Sequence, residues 1–363
     1  MIFAVQLWAS LRVDGVYGMK WRALSGGVVV SAAVIAVLLA NPGGLMGEPV
    51  ALAATAATQI RVLSWNVCGN VESPPAGECV NTESTTNVVK GIVSQLNKYD
   101  FLSGSGVHAV LFQEICYADV EAMRDRSDMS GWNFGFVGIL DGSSKRQCHP
   151  DKNTGAGRGQ FGIAVGIDRS ATFERWHYNA YPEGNNGYGY TDVHQGLVCA
   201  LASSVATTVC STHLTPTPED DNLEKSGHST EYFRNIELQQ AKGIPSRVGT
   251  TGRIIAGGDL NTPPPDNSLG KGIQPENPMV PLYDDYQECY ETQAGDRDGH
   301  GTYQDPVQGL IKLDYVFGTS RDATGTVQDA EMSASDHRPL VATINFNSEL
   351  LRGRDAGWTV RHR

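Results

Sequence analysis

The spacing of hydrophobic and polar positions along the chain switches between a strand-like and a helix-like pattern. Each switch marks the boundary of a predicted element. Alternating or continuous apolar runs predict strands, whereas apolar residues spaced three or four apart predict helices. The predicted strands are Ile60–Val67, Ala109–Glu114, Trp132–Leu140, Phe161–Ile167, Gly196–Ser203, Thr207–Thr212, Ile311–Phe317 and Leu340–Phe346, with one more leading into Asp259. The predicted helices are Thr85–Leu96, Tyr117–Arg124 and Glu231–Lys242. Strand–helix units interleaved with hairpins predict an α/β fold with mixed sheets.

The stretch around Asp259 shows how polar chemistry follows an apolar run. Residues 253–258 end in two glycines, Asp259 and Asn261 follow on alternate positions, and Pro263 and Pro264 stop the strand. Alternate side chains of an extended chain project from the same face, so acid and amide stand side by side. Such a pair can accept a proton and hold an oxyanion. Taken alone, it fits a simple turn equally well.

Other apolar runs also end in polar side chains. These residues are Asn66, Glu114, His213, Asp259, Asn261, Asp314, Asp336 and His337. Binding groups gather at strand ends and on the loops beyond them, so runs that all end this way predict one shared site. Glu114 closes a buried strand and is typical of a hard-cation ligand, and carboxylate and amide oxygens suit Mg²⁺ or Mn²⁺. For single residues, a helix-capping Glu114 and a hydrogen-bonded core His213 remain open alternatives.

Composition limits the classes of partner. The 363 residues are 40% hydrophobic and 19% charged, with a net charge of −12. This length allows one large core, and no linker after Thr58 separates a second domain. An acidic chain argues against a broad basic surface for nucleic acid. It leaves open an enzyme that meets phosphates through a bound cation.

The first residues read as a secretory signal. Arg12, Lys20 and Arg22 precede the uncharged run Ala23–Ala40, and small-residue sequences follow. The alternative is an uncleaved membrane anchor, because about 18 uncharged residues approach spanning length. We predict a secreted protein with a cleaved signal, because a pliable Ala/Thr segment separates the apolar run from the first strand, and membrane anchoring is the alternative. The predicted organisation is a signal peptide and pliable linker at 1–57, a catalytic domain at 58–348 and a C-terminal tail at 349–363.

Seven cysteines fit an exported protein in an oxidising compartment. The absence of a C-x-x-C pair from the sequence argues against a structural zinc site. Proximity predicts Cys199–Cys210 across a hairpin, Cys68–Cys79 closing a short loop and Cys116–Cys148 closing a longer one, which leaves Cys289 unpaired. The alternative is a set of reduced, buried cysteines.

Taken together, the strand-end residues and their neighbours resemble a known family. The order of the motifs along Gln59–Asn347 resembles the endonuclease/exonuclease/phosphatase superfamily, which has the deoxyribonuclease I-like fold. The motifs are Ser64-Trp65-Asn66, Phe112-Gln113-Glu114, Thr212-His213-Leu214, Gly258-Asp259-Leu260-Asn261, Lys312-Leu313-Asp314-Tyr315 and Ser335-Asp336-His337-Arg338-Pro339-Leu340. The resemblance implies an α/β fold of two packed mixed β-sheets flanked by helices, a four-layer sandwich.

The resemblance also implies roles for single residues. Asn66 and Glu114 match the positions that hold a divalent cation, with Asp336 nearby; Mg²⁺ is expected, with Mn²⁺ or Ca²⁺ as alternatives. His337 matches the histidine that contacts the scissile phosphate or activates water, and Asp314 the acid that orients it. The remaining matches are Asp259 and Asn261, which position the nucleophile, a phosphate oxygen or the leaving group, and His213, a general acid or phosphate ligand.

Arg158 and Gln160 are the predicted substrate-binding residues. They precede the strand Phe161–Ile167, where many members carry Gly-Asn, so the longer Gln160 is a departure from the family pattern. Near neutral pH an imidazole can give or take a proton, and which histidine does which stays open.

The function that follows is a secreted, Mg²⁺-dependent, monomeric phosphoesterase, a nuclease that cleaves DNA or RNA phosphodiester bonds. The alternative is a sphingomyelinase or inositol-polyphosphate phosphatase of the same superfamily, with membrane lipid as a partner in the first case. A non-catalytic binding module ranks last, because Glu114, Asp259 and His337 are all retained.

Overall fold

The computed structural model describes residues 59–70, 79, 82–179, 181–183, 191–216, 229–265, 277–294, 297, 299–305, 309–320, 322–327 and 335–346. The predicted signal segment 1–57 and the predicted tail 349–363 lie outside these ranges. Among the helices in the described ranges, none has the length and apolar character needed to cross a membrane.

The described ranges contain eighteen strands and five α-helices. In chain order the strands are β1 (Gln59–Asn66), β2 (Val107–Cys116), β3 (Asn133–Gly138), β4 (Leu140–Asp141), β5 (Ser144–Lys145), β6 (Phe161–Ile167), β7 (Thr172–His177), β8 (Tyr181–Glu183), β9 (Thr191–His194), β10 (Gly196–Ala202), β11 (Thr207–His213), β12 (Arg253–Asp259), β13 (Gln287–Glu288), β14 (Tyr303–Asp305), β15 (Gly309–Ile311), β16 (Asp314–Gly318), β17 (Asp322–Val327) and β18 (Leu340–Asn345). The helices are α1 (Thr85–Lys98), α2 (Tyr117–Arg124), α3 (Thr230–Val248), α4 (Val280–Asp285) and α5 (Cys289–Ala294).

Two six-stranded mixed sheets form the centre of the molecule. The first has the order β17-β18-β1-β2-β6-β3 and the second has the order β13-β16-β12-β11-β10-β7. In the first sheet β1 runs parallel to β2 and antiparallel to β18. In the second, β12 runs parallel to β11 and antiparallel to β16. Both sheets are therefore mixed, as the sequence predicts.

The sheets pack face to face through one apolar core, and helices cover their outer faces. Along β1, Ile60 and Val62 join the core between the sheets, whereas Leu63 and Trp65 face the cluster that contains α1. Alternate residues of a strand point to opposite faces, so a strand buried on both sides carries apolar residues on both. Helix α3 covers the second sheet in the same way through Ala241 and Ile244. The predicted four-layer sandwich is confirmed.

Some element bounds differ from the prediction. The single predicted strand Ile311–Phe317 is two strands, β15 and β16, because the chain changes partner at Lys312 and Leu313. Helix α3 continues through Pro245 to Val248, because Ile244 and Pro245 are buried. Strands β7 and β17 and helices α4 and α5 were not predicted, since these short segments lack a sustained apolar period.

Asp151 caps helix α1 from a distant loop. Its Oδ2 accepts a hydrogen bond from the Thr85 amide at 2.8 Å, and its Oδ1 accepts from the amides of Asn153 and Thr154. Burial raises the pKa of Asp151, but these amide donors outweigh it and hold the pKa below its ordinary value. The carboxylate therefore adds stability above the unfolded-state pKa, and this stability is lost as the pH falls through the lower folded-state pKa.

Asp151→Ala is expected to lower the free energy of unfolding by about 1 to 2 kcal/mol at pH 7, because it removes a helix cap and leaves amides without an acceptor. Urea denaturation at pH 7 and at pH 3 measures this, and the difference from wild type should shrink at pH 3. Asp128→Ala is the control, because Asp128 forms an exposed ion pair with Arg126 and such pairs contribute little. Equal losses of unfolding free energy in Asp151→Ala and Asp128→Ala would contradict the capping role of Asp151.

Candidate active site

Most of the predicted site residues meet where the ends of the two sheets come together. The second sheet places three of them side by side: His213 pairs with Asp259 across β11 and β12, and Asp259 pairs with Asp314 across β12 and β16. The first sheet brings Asn66 at the end of β1 and Glu114 near the end of β2. The turn that carries Asp336 and His337 enters β18, which lies beside β1. Sheet topology thus assembles one cluster from distant segments.

Backbone conformation directs two of these side chains. The register between β2 and β6 shifts between Phe112 and Ile115, and Glu114 inside this irregularity has a φ of 54°. Asn261 has a φ of 52°. Non-glycine residues rarely adopt this left-handed region, and such outliers concentrate at functional sites. A β-bulge of this kind re-aims a side chain next to an active site, and here it takes Glu114 out of the alternation of β2.

Gly258 allows the second sheet to deliver Asp259. Its φ is +141°, and a Cβ atom there would lie 1.9 Å from the Thr212 carbonyl oxygen and 3.0 Å from Gln113 Nε2 in the other sheet. The two glycines before Asp259, which the sequence pattern marks as the end of the strand, therefore meet a steric demand. Only glycine fits this position without displacing the backbone of β11.

Gly258→Ala is expected to lower the free energy of unfolding by about 1 to 3 kcal/mol, the usual cost of a strained backbone conformation. Gly91→Ala in α1 is the matched control, because a Cβ there meets nothing within 4 Å and alanine in a helix is more favourable by roughly 0.5 to 1 kcal/mol. Urea denaturation should show a lower free energy of unfolding for Gly258→Ala and a higher one for Gly91→Ala. An unchanged free energy of unfolding in Gly258→Ala would mean that β11 and β12 are not this closely packed.

One carboxylate oxygen is the centre of the cluster. Asp259 Oδ2 lies 3.0 Å from Asn66 Nδ2, 3.4 Å from His213 Nε2 and 3.5 Å from His337 Nε2. Burial alone would raise the pKa of Asp259, but His337, His213 and the hydrogen bond from Asn66 hold it well below its ordinary value. Asp259 is thus a buried carboxylate that stays ionised and lies between two imidazoles.

His337 lies between two acids. Its Nδ1 is 2.8 Å from Asp314 Oδ2, and the side chain is buried. Burial lowers the pKa of His337, but the Asp314 and Asp259 carboxylates outweigh it and raise the pKa to about 10. An imidazole with this pKa is protonated at neutral pH and offers N–H groups on both ring nitrogens. The carboxylate–imidazole pair fixes the orientation of the ring.

His213 has the acidic partner that its sequence environment does not show. Burial lowers the pKa of His213, but Asp259 and Glu114 raise it above the ordinary value. Its Nδ1 is buried and has no hydrogen-bond partner within the described part of the chain. His213 therefore has one nitrogen near Asp259 and a second, buried nitrogen without a hydrogen-bond partner among the described residues.

Oxygen donors suited to a hard cation lie on the first-sheet side. Glu114 Oε1 accepts from Asn66 Nδ2 at 3.0 Å, and Asp336 is close enough to Glu114 to repel it electrostatically. Burial raises the pKa of Glu114, and Asp336 raises it further. Partly buried carboxylates that repel each other fit a divalent cation, which would supply the missing positive charge. A second set with ligand atoms within 4.8 Å of one another is Asp259, Asp314 and His337.

Other predicted residues take different places. Asn261 donates its amide N–H to Asp259 Oδ1 at 2.9 Å and its side-chain Nδ2 to the Leu214 carbonyl, so it supports the loops around Asp259. The guanidinium of Arg158 is buried and donates to Asp119 Oδ2 at 2.8 Å and to the Thr82 carbonyl at 3.0 Å. The structure does not bring Arg158 into the cluster. Gln160 is half-buried, with its amide against Gly138.

Comparison with known proteins shows the family of this chain. The model of the Endonuclease/Exonuclease/phosphatase family matches residues 63–337, about three quarters of the chain. The chain belongs to the endonuclease/exonuclease/phosphatase family. Members of this family hydrolyse phosphoester bonds as nucleases and phosphatases, and this chain is an enzyme of that class. No curated protein matches the sequence.

Several solved structures are similar to this chain at low sequence identity. A member from Beutenbergia cavernae is 14% identical, with 80% of this chain and 72% of that chain covered and a TM-score of 0.51. D. rerio TDP2 complexed with a single-strand DNA product is 14% identical, covering 79% of this chain and 99% of that one, with a TM-score of 0.45. An AP endonuclease from Archaeoglobus fulgidus is 14% identical, with 78% and 99% covered and a TM-score of 0.45.

Thr302 and Trp65, for which the sequence predicts no role of their own, support the cluster through hydrogen bonds. Thr302 is buried, and its Oγ1 accepts from the amides of Leu313 and Asp314 at 3.0 Å each, which fixes the start of β16. Trp65 donates from Nε1 to the His337 carbonyl at 2.9 Å. No periodicity marks Thr302, because its role arises from a loop that packs across a strand junction. Trp65 lies in a motif that resembles the family, but the sequence pattern predicts only that it belongs to a strand.

The disulfides agree with the pairings predicted from proximity. The structure contains Cys68–Cys79, Cys116–Cys148 and Cys199–Cys210, and Cys289 is free and buried. Three disulfides are consistent with an extracellular family member.

Proposed function

We propose that this protein is a secreted, divalent-cation-dependent phosphodiesterase that cleaves nucleic acid. The observation that carries the proposal is the shared Asp259 carboxylate, which contacts Asn66 and both imidazoles through one oxygen. An ionised carboxylate thus lies between two imidazoles and next to an amide that would take part in binding a cation. Hydrolysis of a phosphodiester requires these three provisions: neutralised phosphate oxygens, an oriented water and a protonated leaving group.

Each residue of the cluster has its own role in the proposed hydrolysis. Asp259 remains ionised and is placed to orient a water molecule and accept its proton. His337 is protonated, is oriented by Asp314 and is placed to donate an N–H to a phosphate oxygen. His213 would protonate the leaving oxygen from its Nε2, which lies 3.4 Å from Asp259 Oδ2. When bound by Glu114, Asp336 and Asn66, a cation such as Mg²⁺ would neutralise charge on the phosphate.

The described part of the surface gives no support to a lipid substrate. Within the described residues, the exposed large hydrophobic side chains are Tyr117 and Leu310, at 40% and 43% exposure. Isolated apolar residues are usual on soluble surfaces, whereas membrane contact requires a contiguous patch. A sphingomyelinase would be expected to present such a patch. The disulfides and the signal-like sequence at 1–57 support secretion.

A substrate panel tests the proposal. The purified protein is offered single-stranded DNA, plasmid, RNA, sphingomyelin vesicles and an inositol polyphosphate, each with Mg²⁺ and with a chelator. The expected result is cation-dependent cleavage of nucleic acid and no turnover of sphingomyelin. Turnover of sphingomyelin or inositol phosphate without nucleic-acid cleavage would replace the nuclease assignment with the alternative.

A further inference from the structure

The turn that follows Asn66 is held by a disulfide. Cys68 comes two residues after Asn66, and its backbone N–H donates to Asn66 Oδ1 at 3.0 Å. This hydrogen bond orients the Asn66 amide, whose Nδ2 then donates to Glu114 Oε1 and Asp259 Oδ2. The position of the Cys68 backbone therefore decides how Asn66 faces the two carboxylates.

The Cys68 backbone is in an unfavourable conformation. Its φ is 51°, and that of its partner Cys79 is 50°. Residues with a Cβ atom rarely adopt this left-handed region, and they keep it only where surrounding structure enforces it. Both half-cystines are buried, with 2% exposure each. The disulfide joins the two residues, and backbone hydrogen bonds from Val67 to Gln113 and from Gly69 to Glu114 hold the turn on either side of Cys68.

The same disulfide lies against a third predicted cation ligand. The sulfur atoms of Cys68 and Cys79 and a carboxylate oxygen of Asp336 all lie within 4.8 Å of one another. Because the sulfurs are bonded to each other, they are packing atoms here and not thiolate ligands. The preceding residue, Ser335, donates its hydroxyl to the Asn66 carbonyl at 2.6 Å. The disulfide thus packs against two turns, one carrying Asn66 and the other carrying Asp336.

We propose that the Cys68–Cys79 disulfide is a positioning element for the cation site, so that the oxidised protein binds the cation more tightly than the same chain without this bond. The proposal rests on the proposed cation dependence. Groups that orient metal ligands typically contribute about 10- to 100-fold in metal affinity. Loss of this disulfide should therefore weaken cation binding beyond any general effect on stability.

The chain contains a matched control for this experiment. Cys199–Cys210 spans 11 residues, the same separation as Cys68–Cys79. In the chain-entropy account the two bonds therefore constrain the unfolded chain equally. Cys199 and Cys210 are also direct partners on the antiparallel strands β10 and β11, where backbone hydrogen bonds maintain the geometry without the bond. The comparison separates positioning from stability.

The experiment measures Mn²⁺ binding directly by the electron paramagnetic resonance signal of free Mn²⁺. Wild type, Cys68→Ser/Cys79→Ser and Cys199→Ser/Cys210→Ser are titrated, each at the same interval below its own thermal midpoint. The expected result is an approximately 10-fold or greater rise in the Mn²⁺ Kd for the first variant and an unchanged Kd for the second. If the first variant does not fold, folded wild type is reduced, its thiols are blocked and mapped by mass spectrometry, and the titration is repeated.

The outcomes are distinct. Equal Mn²⁺ affinity in wild type and in the protein lacking Cys68–Cys79 overturns the positioning role, as does an equal loss of affinity in both variants. A wild-type protein that binds no Mn²⁺ overturns the cation dependence on which the proposed function depends. The two failures are therefore distinguishable.

Discussion

His337→Gln is expected to lower kcat for phosphodiester hydrolysis by about 10³-fold, within the range that a positioned acid–base group usually contributes. The imidazolium that Asp314 and Asp259 hold would be lost, and a neutral amide would face the phosphate. Glutamine is close to histidine in size, so the surrounding core should stay packed. The measurement is steady-state hydrolysis of the substrate identified by the panel, at saturating Mg²⁺.

His108→Gln is the matched control for this variant. His108 is also buried and also pairs with an acid, since its Nδ1 lies 3.0 Å from Asp168 Oδ2. It lies near the start of β2, whereas Glu114 lies near the end of that strand. His108→Gln should reduce stability and leave kcat within about twofold of wild type, because its imidazole–acid pair is outside the cluster. Unchanged kcat in His337→Gln would remove His337 from the site.

Glu114→Gln is expected to raise the Mg²⁺ concentration for half-maximal activity by at least roughly 100-fold. Groups that orient metal ligands contribute up to about 100-fold in metal affinity, and a ligand itself contributes more. It should also stabilise the protein in chelator. The pKa of Glu114 is raised above its ordinary value, chiefly by burial and also by Asp336. Ionised Glu114 therefore opposes folding at any pH above its unfolded-state pKa, and a neutral amide removes this cost.

Activity titrated with Mg²⁺ and thermal unfolding in chelator at pH 7 measure the two effects. Glu121→Gln on α2 is the control, because Glu121 forms a partly exposed ion pair with Arg124 and should leave the Mg²⁺ dependence unchanged. A Glu114→Gln protein with wild-type Mg²⁺ dependence would move the cation to other residues, such as Asp259 and Asp314.

The sequence predicts those parts of the structure that carry a hydrophobic period or a family motif. Ile60, Val62 and Leu63 alternate between two faces, so β1 follows from the pattern of the residues. His213 and Asp259 follow from the same pattern, because each is the last residue of its strand, whereas Asp314 is the first residue of β16. Sheet pairing then carries His213, Asp259 and Asp314 to adjacent positions.

The parts that the sequence did not reveal depend on contacts between segments distant in the chain. Asp259 as the partner of His213 is one example, because parallel pairing of β11 and β12 is needed to bring them together. Thr302 is another, since it acts on the backbone of Asp314 from a separate loop. Arg158 has the charge expected of a phosphate ligand, yet its ion pair with Asp119 is a property of the fold.

Hydrolysis of single-stranded DNA before and after removal of divalent cations is the most direct test of the account. The protein is dialysed against chelator, assayed, and assayed again after Mg²⁺ is restored, with His337→Gln in parallel. The account predicts cleavage that is lost in chelator, returns with Mg²⁺ in the wild type and does not return in His337→Gln. Cleavage that survives complete chelation, or that His337→Gln recovers in full, would contradict a cation-dependent site built around Asp259.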